Sequence, residues 1–401
     1  MTERLYLLDS MTSAFDAVVT ACEPHKNGFL IELDQSAFFP NKGGQPCDVG
    51  TIGDAVISDV NEQGERLWHL ADRAIRPGTA VHCELDFARR FDIMQQHTGE
   101  HLLSYCAWHL FGAQNVGFHC ALSYATLDLD KPVSHEGITE IENLANHLAA
   151  ENAAVTAKIY ATEEDLKGIP LRKHAEGLEA PIRIVTIEGS DACTCCAPHV
   201  RRTGEIGQLK IVEAIPYKGG MRCTFLCGMR ALSHAQRMQD TVTSIALRFS
   251  TAREQAEAAV QKQAEELSNA KRELRQAYAA LDEYLASALK AEAEDVKGTK
   301  LIVRILDGVD AKRLRSLAGA TMTDKALSAL FSDTGERVSY LLASNGIKTD
   351  MGLLIAAVNT ALSGNGGGRG TLAQGSAKKP QGLSETVEGL RTYFRNVLLH
   401  G

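Results

Sequence analysis

No stretch of this sequence reaches the roughly 20 consecutive apolar residues that a bilayer-spanning helix needs, and its start, MTERLYLLDS, lacks a secretory signal pattern. The expectation is therefore a cytoplasmic chain. A disulfide framework is also missing. Ten cysteines are spread over 401 residues, and Cys193, Cys195 and Cys196 stand too close together to staple a small secreted fold, so reduced thiols, some of them metal ligands, are expected. There is no excess of positive charge. A formal net charge of -8 argues against a protein that coats itself with nucleic acid through its overall field, although a local basic patch can still hold a phosphate backbone. From Lys300 to Gly401 there are thirteen Lys and Arg against eight Asp and Glu, a balance of +5 that leaves -13 for the rest. The terminal module is thus the place to expect RNA contact.

Proline and glycine are absent from about 240 to 295, a segment rich in Ala, Glu, Lys, Gln and Arg. Val260, Leu267, Leu274 and Leu281 recur there every seven residues, with Ala270, Ala277 and Tyr284 three residues after the leucines. One long helix is predicted, its apolar seam suited to a coiled coil with another chain or to folding against its own domains. Around it the chain is too long for one core, and an α+β multidomain fold is expected. Residues 1–89 alternate short apolar stretches (Gly28 to Leu33, Val49 to Ile57, Val81 to Leu85) with turn signals, which predicts a β-barrel-like domain. Residues 90–236 begin with helical spacing from Arg90 to Phe111, stopped by Gly112. A second helix at about 138–151 and strands at Val155 to Tyr160 and Pro181 to Ile187 follow, an α+β pattern. After the helical segment 237–296, residues 297–401 read as an α/β module with a low-complexity loop at Gly364 to Gly375.

His97-Thr98-Gly99-Glu100-His101 puts two imidazoles four residues apart, hence on one helix face. Cys195 and His199, in Asp191-Ala192-Cys193-Thr194-Cys195-Cys196-Ala197-Pro198-His199, are also four apart. Together the pairs complete the three-nitrogen, one-thiolate set that suits a tetrahedral zinc ion, one per chain. Three crowded cysteines leave open which thiol ligates. Cys223 and Cys227 read as core residues. Glu100 and His119 are candidates for orienting water or substrate. HxxEH also fits an inverted-motif zinc metallopeptidase, a reading that leaves Cys195 and His199 without a role; a zinc-stabilised RNA-binding or dimerisation protein without activity is a third reading.

Phe39 to Pro46, HTGEHLLS at 97–104, NVGFH at 115–119 and CCAPHV at 195–200 resemble the editing domain of alanyl-tRNA synthetase and the alanyl-tRNA editing proteins, in order and spacing, over residues 1 to about 235. The resemblance implies that His97, His101, Cys195 and His199 hold zinc and that 90–236 is an aminoacyl-tRNA editing domain. It further implies that Gly43, Gly44 and Gln45 reach over to contact substrate, and that the reaction is hydrolysis of Ser-tRNA(Ala) or Gly-tRNA(Ala). The family's Cys-Gly-Gly-Thr-His appears here as Cys195-Cys196-Ala197-Pro198-His199, which touches amino-acid preference more than the metal. Gly364 to Gly375 is similar to the glycine-rich loop of DHHA1 domains. That likeness, with the charge of Arg369, Lys378 and Lys379, implies a tRNA-contacting C-terminal domain, and a homodimer through the long helix or that domain is expected. The β-rich region begins at residue 1, which implies deacylation without aminoacylation.

Overall fold

The computed structural model describes residues 2–172 and 181–400, and the chain divides into two compact units, Met1–Leu247 and Arg248–Gly401. It is a mixed α+β, multidomain protein.

In the first unit, strands Ala14–His25, Gly28–Leu33, Arg66–Ala71, Ala55–Gln63, Gly50–Ile52 and Ala80–Leu85 pair in that order, and the last pairs back onto the first to close a ring. Strand alternation explains its filling. In Ala14–His25 the inward residues Phe15, Ala17 and Val19 are buried while their neighbours are exposed. Helix Phe87–Phe111 follows, capped by Asp86, whose carboxylate accepts from Arg89 N, and stopped at Gly112 in the left-handed region. It packs with helix His135–Ala150 and an antiparallel sheet ordered Leu209–Tyr217, Gly220–Cys227, Ala125–Leu129, Asn115–Cys120. A smaller sheet holds Val155–Tyr160, Ile182–Ile187 and Ala192–Thr194.

Ring and helical layer are tied by Arg90, which is fully buried. It pairs with Asp48 and donates to the carbonyls of Ser10 (3.0 Å) and Ala37 (2.5 Å). Buried guanidinium and carboxylate satisfy each other here, so neither carries the cost of an unpaired charge. Cys223 and Cys227 lie buried in the core of the layer.

The helix expected as one run from 240 to 295 is two: Gly228–Arg248 and Ala256–Ala291. The interruption falls at Phe249, Ser250 and Thr251, where Ser250 takes a positive φ of 51° and a 3-10 turn, Arg253–Gln255, restarts the chain. The Thr251 hydroxyl donates to Gln255 Oε1 at 2.9 Å across that turn. Hydroxyl side chains such as those of Ser250 and Thr251 favour turns and caps over helix interiors, so a break needs neither proline nor glycine. Val260, Leu267, Leu274 and Leu281 are all exposed on the second helix.

In the second unit six strands lie in the order Glu294–Val296, Thr299–Asp307, Ala326–Asp333, Arg337–Asn345, Leu372–Lys378, Asn365–Arg369. The pair Thr299–Asp307 and Ala326–Asp333 is parallel, bridged by helix Ala311–Ala320. Alternate residues feed two cores. Leu301, Val303 and Phe331 meet helices Met351–Leu362 and Leu383–His400, while Ile302, Leu306 and Leu330 meet Ala311–Ala320 and the end of Ala256–Ala291. The glycine-rich stretch expected as a loop is mostly a β-hairpin at the sheet edge. Its glycines answer to close packing: a Cβ at Gly375 would sit 2.4 Å from the Tyr340 ring, and one at Gly368 2.3 Å from the Ala373 backbone.

Candidate metal centre

Helix Phe87–Phe111 presents His97 and His101 inward, and the segment after strand Ala192–Thr194 returns Cys195 and His199 to the same point. One ligand atom from each of the four lies within 4.8 Å of the others, and all three histidines are buried. The helix docks tightly there because residue 99 is glycine: a Cβ on it would lie 2.3 Å from the buried Cys227 Sγ.

Hydrogen bonds around the cluster decide which ring nitrogens are free. The Thr98 hydroxyl donates to the Met94 carbonyl (2.8 Å), so its oxygen accepts from His199 Nδ1 (3.1 Å), leaving Nε2 facing Cys195 Sγ at 3.3 Å. His97 Nδ1 donates to Gln45 Oε1 (2.5 Å), and its Nε2 lies 3.5 Å from the same sulfur. His101 Nδ1 is 3.1 Å from Asp191 Oδ2. In His97 and His199 Nδ1 has a hydrogen-bond acceptor and Nε2 keeps its lone pair, and Asp191 holds the Nδ1 edge of His101 in the same sense, the arrangement in which outer partners orient metal ligands.

The electrostatics favour a thiolate at Cys195 and a neutral ring at His199, but not a neutral His101: burial works to lower that ring, yet Cys193, Asp191 and Cys195 outweigh it and hold it well above its usual range. Burial by itself raises the Cys195 thiol, but the His97 and His199 rings and hydrogen bonds from His101 and His199 outweigh it and hold the group well below its usual range. Burial pushes His199 down to about 3. Burial also works to raise Asp191, yet hydrogen bonds from His101 and Arg172 bring it to about 2. Three imidazoles and a thiolate form a set that could hold a metal ion. Cys193 stands apart, 3.4 Å from His101 Nδ1, in a second grouping with His101 and Asp191.

The cluster opens on a cavity of about 260 Å³ lined by Gly43, His97, Glu100, His101, Asn115, Phe118, Arg172, Cys193, Thr194, Cys195 and Cys196. Glu100 is buried, its Oε1 accepting from the Ser104 hydroxyl and from Asn115 Nδ2 (2.6 Å). Gly43 lines the cavity. Gly44 docks the loop by accepting from Cys120 N at 2.6 Å, and Gln45 meets His97 rather than open space. His119 does not join them. Strand alternation turns Phe118 to the cavity, with its ring 4.7 Å from that of His97, and leaves His119 exposed outside the lining. In the second unit Arg369 and Lys378 are exposed at opposite ends of the hairpin, and Lys379 pairs with Asp333 at 2.6 Å. They do not form one patch. Reasoning from residue spacing passed over Thr98, Ser104, Asn115, Arg172 and Asp191, although all of them but Arg172 sit inside the motifs it singled out.

A buried His/Cys centre beside a small cavity defines a candidate metal-dependent enzyme of α+β architecture, and sequence comparison gives it relatives. Residues 182–222 match the threonyl and alanyl tRNA synthetase second additional domain, and residues 298–396 match the DHHA1 domain. Alanine–tRNA ligase of Thermococcus kodakarensis is 28 % identical over 97 % of this chain and 43 % of its own length. The alanyl-tRNA editing protein Aarsd1 of Mus musculus is 30 % identical over 57 % of this chain and 60 % of its own. Among solved structures, the C-Ala domain of Aquifex aeolicus alanyl-tRNA synthetase aligns to 27 % of this chain and 99 % of its own at 29 % identity, with a TM-score of 0.24. This chain is a relative of the alanyl-tRNA editing proteins that carries a DHHA1 domain. It spans about half the length of the curated relatives it matches.

Proposed function

We propose that the protein is a zinc-dependent aminoacyl-tRNA deacylase of the cytoplasm that hydrolyses mischarged Ser-tRNA(Ala), and Gly-tRNA(Ala) as a second substrate, without charging tRNA itself. The observation that carries the reading is the buried His97, His101, Cys195 and His199 cluster at the wall of a cavity of about 260 Å³. The relatives supply the substrate class. Three imidazole nitrogens and one thiolate fit zinc, which when bound would supply a Lewis acid beside the ester. Gln45, Asp191 and Thr98 hold the histidine rings in their ligating tautomers. Glu100, fixed by Ser104 and Asn115, orients a water and takes its proton as the ester opens. Phe118 and Gly43 close the side of the cavity facing His97. Arg369 and Lys378 offer charge to the tRNA backbone, and the exposed Val260 to Leu281 seam pairs two copies of the chain.

Serine differs from alanine by one hydroxyl, which an apolar synthetic pocket rejects only by about 10²-fold, so accuracy calls for a second site that hydrolyses the product. The test is serine release from Ser-tRNA(Ala), with Ala-tRNA(Ala) and a generic peptide alongside, before and after zinc removal. Rapid serine release with alanine and peptide spared supports the reading. Peptide cleavage, or no release from either aminoacyl-tRNA, refutes it. Light scattering of the full chain and of Leu274→Glu tests the dimer.

A further inference from the structure

One buried chain of contacts reaches the metal cluster from the rim of the cavity without passing through any ligand. Arg172 lines the cavity, and its main-chain N–H donates to the Ala192 carbonyl at 2.9 Å, which docks it along the edge of strand Ala192–Thr194. Its guanidinium then grips Asp191 with two donors, Nε to Oδ1 at 2.6 Å and Nη2 to Oδ2 at 3.1 Å, and Nη2 also lies 3.8 Å from Cys193 Sγ. Asp191 Oδ2 passes the contact on to His101 Nδ1 at 3.1 Å. The Arg172 side chain is 5 % exposed and that of Asp191 is 0 %.

A carboxylate held only by an imidazole can turn about its Cβ–Cγ bond, carrying the ring with it. A guanidinium fork occupies both oxygens in one plane and removes that freedom, which a lysine ammonium, a single point of charge, does not do.

We infer that Arg172 is a positioning residue for the metal centre: by clamping Asp191 it keeps His101 turned with Nδ1–H on the carboxylate and Nε2 on the metal, and so sets how firmly the chain retains its ion. This rests on the metal-centre reading proposed above. No other residue reaches Asp191 with a comparable two-donor grip among the described residues.

The experiment is zinc affinity of the full chain by competition with a chromophoric chelator, for wild type, Arg172→Lys, Arg172→Met, Asp191→Asn and the Arg172→Met/Asp191→Asn double variant. Folding of each is checked by circular dichroism. Loss of an outer partner typically weakens metal binding about 10- to 100-fold, and that loss is expected for Arg172→Met and for Asp191→Asn, with Arg172→Lys between them and wild type. The double variant should be no weaker than Asp191→Asn, because Arg172 acts through Asp191. Nitrogen-15 spectra of the zinc-loaded proteins supply a readout that a purely structural role would leave unchanged. The His101 Nδ1–H signal should be single and sharp in wild type and exchange-broadened in Arg172→Met. Wild-type affinity and an unchanged His101 signal in folded Arg172→Met overturn the inference while leaving the metal centre standing. Fully additive losses in the double variant overturn it as well. Failure of wild type to bind zinc brings down the metal-centre reading and this inference together.

Discussion

Gly99 sits midway between the two histidines of the helix, and replacing it with alanine tests how the ligand pair is held in place. A glycine in a helix interior is ordinarily a weakness, and Gly→Ala there gains about 1 kcal/mol of stability. Here the added Cβ would lie 2.3 Å from Cys227 Sγ, 3.4 Å from Leu209 Cδ1 and 3.7 Å from Ile206 Cγ2. Cys227 is fully buried and its backbone is pinned by the Gln96 amide, with Cys227 N donating to Oε1 at 2.8 Å, so the sulfur has little room to retreat. Overpacking of this kind costs about 1–3 kcal/mol, enough to cancel or reverse the helix gain. Gly99→Ala should therefore be destabilising by about 1 kcal/mol in urea titration, and because the helix must shift, zinc affinity should fall too. Cys227→Ala removes the obstructing sulfur. The double variant should then be more stable than the sum of the two single changes by about 2 kcal/mol, a coupling characteristic of residues in direct contact. A stabilised Gly99→Ala, or additive single effects, would refute the packing argument.

Other outcomes follow from the same geometry. Cys195→Ala should lose bound zinc while Cys193→Ala keeps one ion per chain by metal analysis, since only Cys195 meets both His97 and His199; the opposite pattern would move the ligand to Cys193. Gly44→Ala places a Cβ 2.5 Å from the Phe118 carbonyl at a φ of +77°, so the loop should leave Cys120 and take Gln45 off His97. Its zinc affinity should drop about tenfold or more, as in Gln45→Ala, and an unchanged affinity in both would show that the loop does not orient the ring. His69 lies wholly buried in the ring, between the Ser36 hydroxyl (2.9 Å) and the Ile31 carbonyl (3.0 Å), and burial holds it down to about 4 from an ordinary 6.5. An imidazole kept neutral in the fold contributes stability that is complete above pH 6.5 and is lost as pH falls towards 4, about 3 kcal/mol over the window. His69→Gln should flatten that limb of the stability profile whatever its effect at neutral pH, and an equally steep limb would mean that His69 is not the group responsible.

The sequence by itself determined what depends on neighbours along the chain. Helical spacing from Arg90 to Phe111 places His97 and His101 on one face, because 3.6 residues per turn stacks positions four apart, and alternation marks strands such as Val155–Tyr160. The interval from Cys195 to His199 likewise makes a local half-site. Local pattern misled where a helix breaks without proline or glycine, as at Ser250 and Thr251, and where glycines serve packing against Tyr340 rather than a free loop.

Only the tertiary structure decided how the half-sites meet and what surrounds them. The contacts of His97 with Gln45, of His101 with Asp191 and of His199 with Thr98 join residues far apart along the chain, 52 positions for the first and 101 for the last, and no periodicity in a sequence encodes such pairings. The exclusion of His119 from the cavity, the choice of Cys195 over Cys193 beside the three rings, and the clamp of Arg172 on Asp191 have the same origin. They are set by which surfaces pack together once the ring, the helix and the sheets have formed, because hydrogen-bond partners and burial belong to the folded arrangement and not to the order of residues.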